Sequence, residues 1–182
     1  ENAAVSESAD FTGSSDILLG DFDFTVGAAG AVTGADDDSH FVTTGMGALV
    51  KNTDAAGIFI YDVGDGTNHT PLTVDHSGTY TAGTSNIEVQ TISTSHPELL
   101  ADADAYLNRY WTVNANSITG YSADLTGDYA ASDVQGTEGD MVGARFESGS
   151  WNFDNAGQNA GTITSTTNNS TSDLTGMNFF GK

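Results

Sequence analysis

Apolar and polar positions alternate over short stretches along most of the chain. In Asp21-Phe22-Asp23-Phe24-Thr25-Val26 every second side chain is apolar, and Ile87 and Val89, with Thr91 following, repeat the pattern. A period of two buries one face of a strand and leaves the other wet. The pattern predicts strands over Ile17–Val26, Phe41–Thr44, Ala48–Asn52, Gly57–Val63, Leu72–His76, Thr79–Ala82 and Asn86–Ile92. Further strands are predicted over Arg109–Val113, Gly120–Leu125, Met141–Glu147, Ser150–Phe153, Gly161–Thr166 and Asp173–Phe179. Gly64-Asp65-Gly66, Ser77-Gly78 and Ser148-Gly149 supply turns between them. Short strands at intervals of roughly ten residues indicate an all-β fold, expected here as a two-sheet antiparallel β-sandwich of Ig-like or jelly-roll type.

Two segments depart from this rhythm. Residues Ser95–Leu107 read as one short helix. Ser95 is placed to cap it, Pro97 falls in its first turn, Glu98 complements the dipole, and Leu99, Ala103 and Tyr106 or Leu107 form its apolar stripe. Residues 1–15 are small and polar, with larger apolar side chains only at Val5 and Phe11. Such a tail frays unless tied to a sheet edge of its own chain or of a neighbour. The expected organisation is an extended tail over 1–15, a candidate donor strand, followed by a single sandwich domain over 16–182.

Composition agrees with this reading. The 182 residues include 24 Thr and 22 Gly but only 2 Pro, and aromatic and β-branched residues recur throughout, unlike a disordered chain. Charge narrows the partners. Four Lys and Arg against 25 Asp and Glu give a formal net charge of −21, which excludes a nucleic-acid backbone or an anionic membrane surface as a partner. No apolar run is long enough to span a membrane. With no Cys there is no disulfide, thiol nucleophile or thiolate metal site. The chain begins at Glu1 rather than Met, as expected of a product released from a signal peptide.

Catalytic signals are weak. His40, His69, His76 and His96 are scattered without a metalloprotease spacing, and there is no nucleophile elbow. A carboxylate pair such as Glu88 and Glu147 is uninformative among 25 acids. Calcium is the better chemical candidate, because it takes six to eight oxygen ligands and acidic turns supply them. The candidate ligands are the Asp36-Asp37-Asp38 loop, Asp62 and Asp65 in a Gly-rich turn, and Asp102 with Asp104. None fits an EF-hand loop. Trp151, between Gly149 and Asn152, is the candidate ligand-binding aromatic if the protein binds glycans. Asn68, Asn168 and Asn169 stand in glycosylation sequons.

Two blocks go beyond general pattern. The first runs Phe41-Val42-Thr43-Thr44-Gly45-Met46-Gly47-Ala48-Leu49-Val50-Lys51, then Phe59-Ile60-Tyr61-Asp62-Val63-Gly64-Asp65-Gly66, then Thr70-Pro71-Leu72-Thr73-Val74. The second runs Asn108-Arg109-Tyr110-Trp111-Thr112-Val113, Gly120-Tyr121-Ser122-Ala123-Asp124-Leu125 and Val142-Gly143-Ala144-Arg145-Phe146, leading to Gly149-Ser150-Trp151. Together they resemble the β-sandwich modules of secreted and cell-surface, adhesin-like proteins of Bacteroidota, over about residues 39–180. Asp62 departs from that pattern, standing where such modules usually carry Pro, and 173–176 is a loose form of their closing strand. The resemblance implies secretion, a structural or adhesive role and no catalytic residues. Independently of it, Trp111 is expected in the core and Arg109 paired to an acidic residue.

These readings converge on a secreted, non-enzymatic structural protein at the cell surface or beyond, a self-assembling subunit of a filament, tube or layer. Strand addition is the expected joint: a donor segment around Val5, Ala9 and Phe11, or alternatively the C-terminal Met177, Phe179 and Phe180, pairs with an edge of the next copy. The alternative is a monomeric adhesin or carbohydrate-binding module.

Overall fold

The computed structural model describes residues 3–5, 8–153, 160–168 and 172–177, with side chains described from residue 8 to 166 and over 172–177. It is mostly β. The chain opens with nine short strands: β1 (Ala3–Val5), β2 (Ala9–Asp10), β3 (Ile17–Leu18), β4 (Phe24–Val26), β5 (Val32–Thr33), β6 (Phe41–Val42), β7 (Leu49–Asn52), β8 (Gly57–Tyr61) and β9 (Val63–Gly64). Longer strands follow: β10 (Leu72–Tyr80), β11 (Asn86–Ile92), β12 (Tyr106–Leu107), β13 (Tyr110–Asn116) and β14 (Ile118–Asp128). β15 (Val134–Gln135), β16 (Val142–Glu147), β17 (Ser150–Phe153), β18 (Thr162–Asn168) and β19 (Ser172–Met177) complete the set, with two single 3-10 turns at Ala131–Asp133 and Glu138–Asp140. Among the described residues no helix is long and apolar enough to cross a membrane.

Two sheets carry the bulk of the molecule. The larger runs β1-β4-β7-β11-β13-β19-β12-β15, with β16 on β19 and β17 on β16; the smaller runs β18-β14-β10-β8. Their inward residues alternate along each strand as the period of two requires: Ile87 and Val89 on β11, Trp111 and Val113 on β13, Leu72 and Val74 on β10, and Tyr121, Ala123 and Leu125 on β14 are all buried. Trp111 is fully buried, donates its indole N–H to the Thr70 carbonyl at 2.9 Å, and lies flat enough on β14 that a Cβ on Gly127 would sit 2.9 Å from the ring. The glycine is what lets the two sheets approach at this point.

The N-terminal third is built differently from the expected antiparallel pattern. β1, β4 and β7 pair in parallel, as do β2 with β5, and β3, β6 and β9. Partners lie 21 to 25 residues apart in sequence, from Ala3 with Phe24 to Phe24 with Leu49. Strands β1 to β9 therefore wind into three stacked turns of a parallel coil. β7 belongs to both parts, pairing in parallel with β4 and antiparallel with β11. The segment read as one strand over Ile17–Val26 is instead β3, a corner, and β4. Gly20 takes the left-handed conformation there, and Phe22 is 56% exposed.

The helix expected over residues 95–107 is not formed. The stretch makes two tight turns, closed by Leu99 N–H to the His96 carbonyl and Ala103 N–H to the Leu100 carbonyl, and then enters β12. His96 explains the change. Its Nδ1 accepts the Glu98 N–H at 3.0 Å, its Nε2 meets Asp173 on β19 at 3.0 Å, and its ring packs among Tyr110, Phe146 and Trp151. A side chain that takes up a nearby backbone amide competes with the helical ladder. The segment becomes a strap across the outer face of the larger sheet.

Candidate assembly surface

The first coil turn, described over residues 3–5 and 8–20, is held by three separate ladders. Ala9 N–H bonds the Ala31 carbonyl at 2.8 Å and Phe11 N–H the Thr33 carbonyl at 2.9 Å; Ile17 N–H bonds the His40 carbonyl at 2.9 Å and Leu19 N–H the Val42 carbonyl at 3.0 Å. Side chains repeat the upward link. Asp16 accepts the His40 N–H at 3.2 Å, Asp23 accepts the Ala48 N–H at 3.0 Å, and Thr33 Oγ1 donates to Asp10 at 3.0 Å. Inside the coil Phe11 meets Phe41 edge-on, with 5.1 Å between ring centres, and Phe24 lies at 4.7 Å from the same ring. Among the described residues, every strand of this turn pairs on one side only: β1 with β4, β2 with β5 and β3 with β6. The other side is three open strand edges. Leu18 on β3 is 75% exposed, and Met46 is 78% exposed.

The expected donor residues divide accordingly. Val5 lies in β1, paired with Val26 of its own chain; its side chain is outside the described set. Ala9 and Phe11 are half-buried against the coil interior. Met177 is fully buried on β19, between β12 and β16, and Phe179 and Phe180 lie outside the described residues.

The acidic candidates do not gather. Among the described residues no three His, Asp or Glu side chains converge as a metal-binding group. Asp36 folds back on its own turn, accepting the Asp38 N–H at 2.9 Å and the Ser39 hydroxyl at 3.1 Å, while Asp37 and Asp38 are exposed. Asp62 meets His69 Nε2 at 3.2 Å, and His69 stacks on the buried His40, whose Nδ1 lies 3.4 Å from Asp16. Residues of all three coil turns thus meet at one corner, an arrangement that their sequence separation hid. Asp102 and Asp104 are exposed on the strap. Trp151 is half-buried in the aromatic group around His96, and its indole N–H donates to the Glu98 carbonyl at 2.8 Å, so it holds the strap down.

Asp65 has a different task. Arg109 is fully buried; its Nη2 donates to Asp65 at 2.6 Å, its Nε to Asp133 at 2.7 Å, and its Nη1 to Thr91 at 3.2 Å. Burial opposes the charge on Arg109, but the bonds and charges of Asp133 and Asp65 outweigh it and raise the guanidinium pKa. Burial likewise pushes Asp65 up, and Arg109 with the Asn68 and Thr67 amides hold it below the ordinary value. Lys51 is also buried, donating to the carbonyls of Gly27, Ala28 and Gly30 over the Phe59 ring. Arg145 contacts Glu147 at 2.8 Å and donates to the Thr166 carbonyl at 3.0 Å. All three basic residues among those described are thus engaged within the chain.

In comparisons with known proteins, the chain matches no family model, no curated protein and no solved structure.

Proposed function

We propose that the chain is a secreted, non-enzymatic structural protein whose copies join by strand addition. The first coil turn of one copy pairs with the second turn of the next, replacing the contacts it makes at home. The observation that carries this reading is the way the turn is held. Its described strands bond only to the second turn, through ladders two or three residues long, and it leaves the body through one corner at Gly20–Asp23. An identical groove on a second copy offers the same bonds, so exchange costs no contact. Passed from copy to copy in one direction, the exchange does not close and makes an open polymer. The resemblance to adhesin-like surface modules points the same way, and the antiparallel remainder suits a β-sandwich body of Ig-like or jelly-roll type.

A reversible lock tests the proposal. Asp10 and Thr33 already touch through their side chains, and the chain has no native Cys. Asp10→Cys with Thr33→Cys, oxidised in dilute solution, closes the turn onto its own body. The locked protein is expected to stay monomeric under conditions in which the parent polymerises, and to polymerise once a reductant is added. Polymers of unchanged length from fully locked monomers would sink the exchange. A parent that never polymerises would sink the structural role itself.

A further inference from the structure

The turn between β4 and β5 brings three backbone carbonyls to one point. The Gly30 N–H closes it on the Gly27 carbonyl at 2.9 Å. Lys51 Nζ donates to the carbonyls of Gly27, Ala28 and Gly30, the last two at 2.8 Å. A lysine ammonium has three N–H donors and no acceptor, so three carbonyls satisfy it completely. The same Nζ stands over the Phe59 ring, 5.1 Å from its centre. Lys51 lies on β7 with Val26 of β4 and Ile87 of β11 as its register partners, both fully buried, and is itself 7% exposed. Burial draws its pKa below the ordinary lysine value, and Asp54 partly opposes this. The carbonyls and the ring face stand in for the water that burial removes.

We infer that this turn is a binding site for a primary ammonium, and that Lys51 is its resident cation, supplied by the chain itself. Three features select that class of ligand. The first is number: three oxygens match three N–H donors, whereas calcium takes six to eight oxygens. The second is the charge of the wall. Among the described residues no carboxylate bonds Lys51, so a divalent ion in its place would stand among neutral oxygens with its charge unmatched. The third is supply. A free cation is shared among 25 Asp and Glu, whereas an ammonium tethered on the neighbouring strand is presented to the cage at high effective concentration. The site fastens the β4–β5 corner of the second coil turn to β7, and the coil keeps its place on the body without a free cation. It uses no part of the first coil turn and does not rest on coil exchange.

The test empties the cage and refills it. Lys51→Ala removes the ammonium with a three-carbon stem, the size of propylammonium. Hydrogen exchange at the Gly30 amide, which closes the turn, is expected to accelerate at least tenfold in the variant. An excess of propylammonium chloride is expected to reverse at least half of that change. 1-Propanol at the same concentration, and sodium or calcium chloride at the same ionic strength, are expected to leave it unchanged. Equal recovery in propanol would mean that the space only needs filling, and equal recovery in either salt would mean screening; each overturns the site. The parent gives a reading that does not depend on how the variant folds. A nitrogen-15 ammonium resonance is expected to persist at pH 7 and to show cross-relaxation with the Phe59 ring protons. Solvated ammonium protons exchange with water too fast to give one, so its absence would overturn the clamp. A chelator is expected to leave Gly30 exchange in the parent as it is, and acceleration would overturn the coil's independence of free cations.

Discussion

Arg109 shows how much of this molecule rests on single side chains. It ties β13 to the turn after the coil through Asp65, to the Ala131–Asp133 turn through Asp133, and to β11 through Thr91. Arg109→Met leaves two carboxylates without their cation, one of them buried. Breaking such a pair from one side costs on the order of 3–5 kcal/mol, and the expected loss is of that size in chemical denaturation. The pair also sets an acid limit. The Asp65 pKa is lower folded than unfolded, so the unfolded state takes up its proton first as pH falls. This contribution is complete above the ordinary carboxylate range, below about pH 4 it declines, and it is gone once Asp65 is protonated in the fold. Denaturation midpoints measured from pH 6 to pH 2 should fall across that interval for the parent, and the Arg109→Met variant should show a shallower fall. The sequence made this visible in outline. An arginine among so many carboxylates is expected to be paired, but nothing local to the turn of Asp65, a candidate calcium ligand, shows that a residue 44 positions away claims it.

At the scale of elements, legibility followed the length over which a pattern runs. Asn86–Ile92 and Ser150–Phe153 alternate for their whole length and stand as strands with the expected bounds. The coil strands are mostly two or three residues long, and their partners lie more than twenty positions away, so no window on the sequence contains both. The alternation of Asp21 to Val26 was real, but Phe22 belongs to a corner. Asp21 and Asp23 face up the coil, where they accept the Met46 and Ala48 amides. Gly45 and Gly47 have a particular purpose. A Cβ on Gly45 would lie 2.0 Å from the Gly20 carbonyl oxygen, and one on Gly47 would lie 2.2 Å from that of Phe22. These positions let one turn of the coil rest on the next. Gly45→Ala forces the turns apart against backbone, which cannot swing away as a side chain does. Overpacking of this kind costs about 1–3 kcal/mol. Amide exchange at Ile17 and Leu19 should accelerate at least tenfold in the variant, with β11 and β13 unchanged. Equal acceleration at these two amides and in β11 and β13 would mean that the coil and the body unfold together.

For the whole molecule, charge becomes a condition on assembly. The basic residues among those described are engaged inside the chain, so its acidic surface meets its own copies with little to offset it. Screening shortens the reach of that repulsion from about 30 Å at 0.01 M salt to about 8 Å at 0.15 M. Polymer growth followed by light scattering is expected to be slow at 0.01 M NaCl and to quicken through 0.15 M. Calcium compared with sodium at equal ionic strength separates bridging from screening. Identical curves would mean that the Asp36–Asp38 loop and its acidic counterparts act only as a field, and faster growth in calcium would mark a cation held between copies.

The double membership of β7 also orders events in time. The body can complete itself around β7 and β11 without any earlier strand, whereas each coil turn needs the one after it as a template. Synthesis runs the other way. The segment made first must wait for the third turn, then the second, before it has an edge to join, and throughout that interval it is as available to a neighbour as to its own chain.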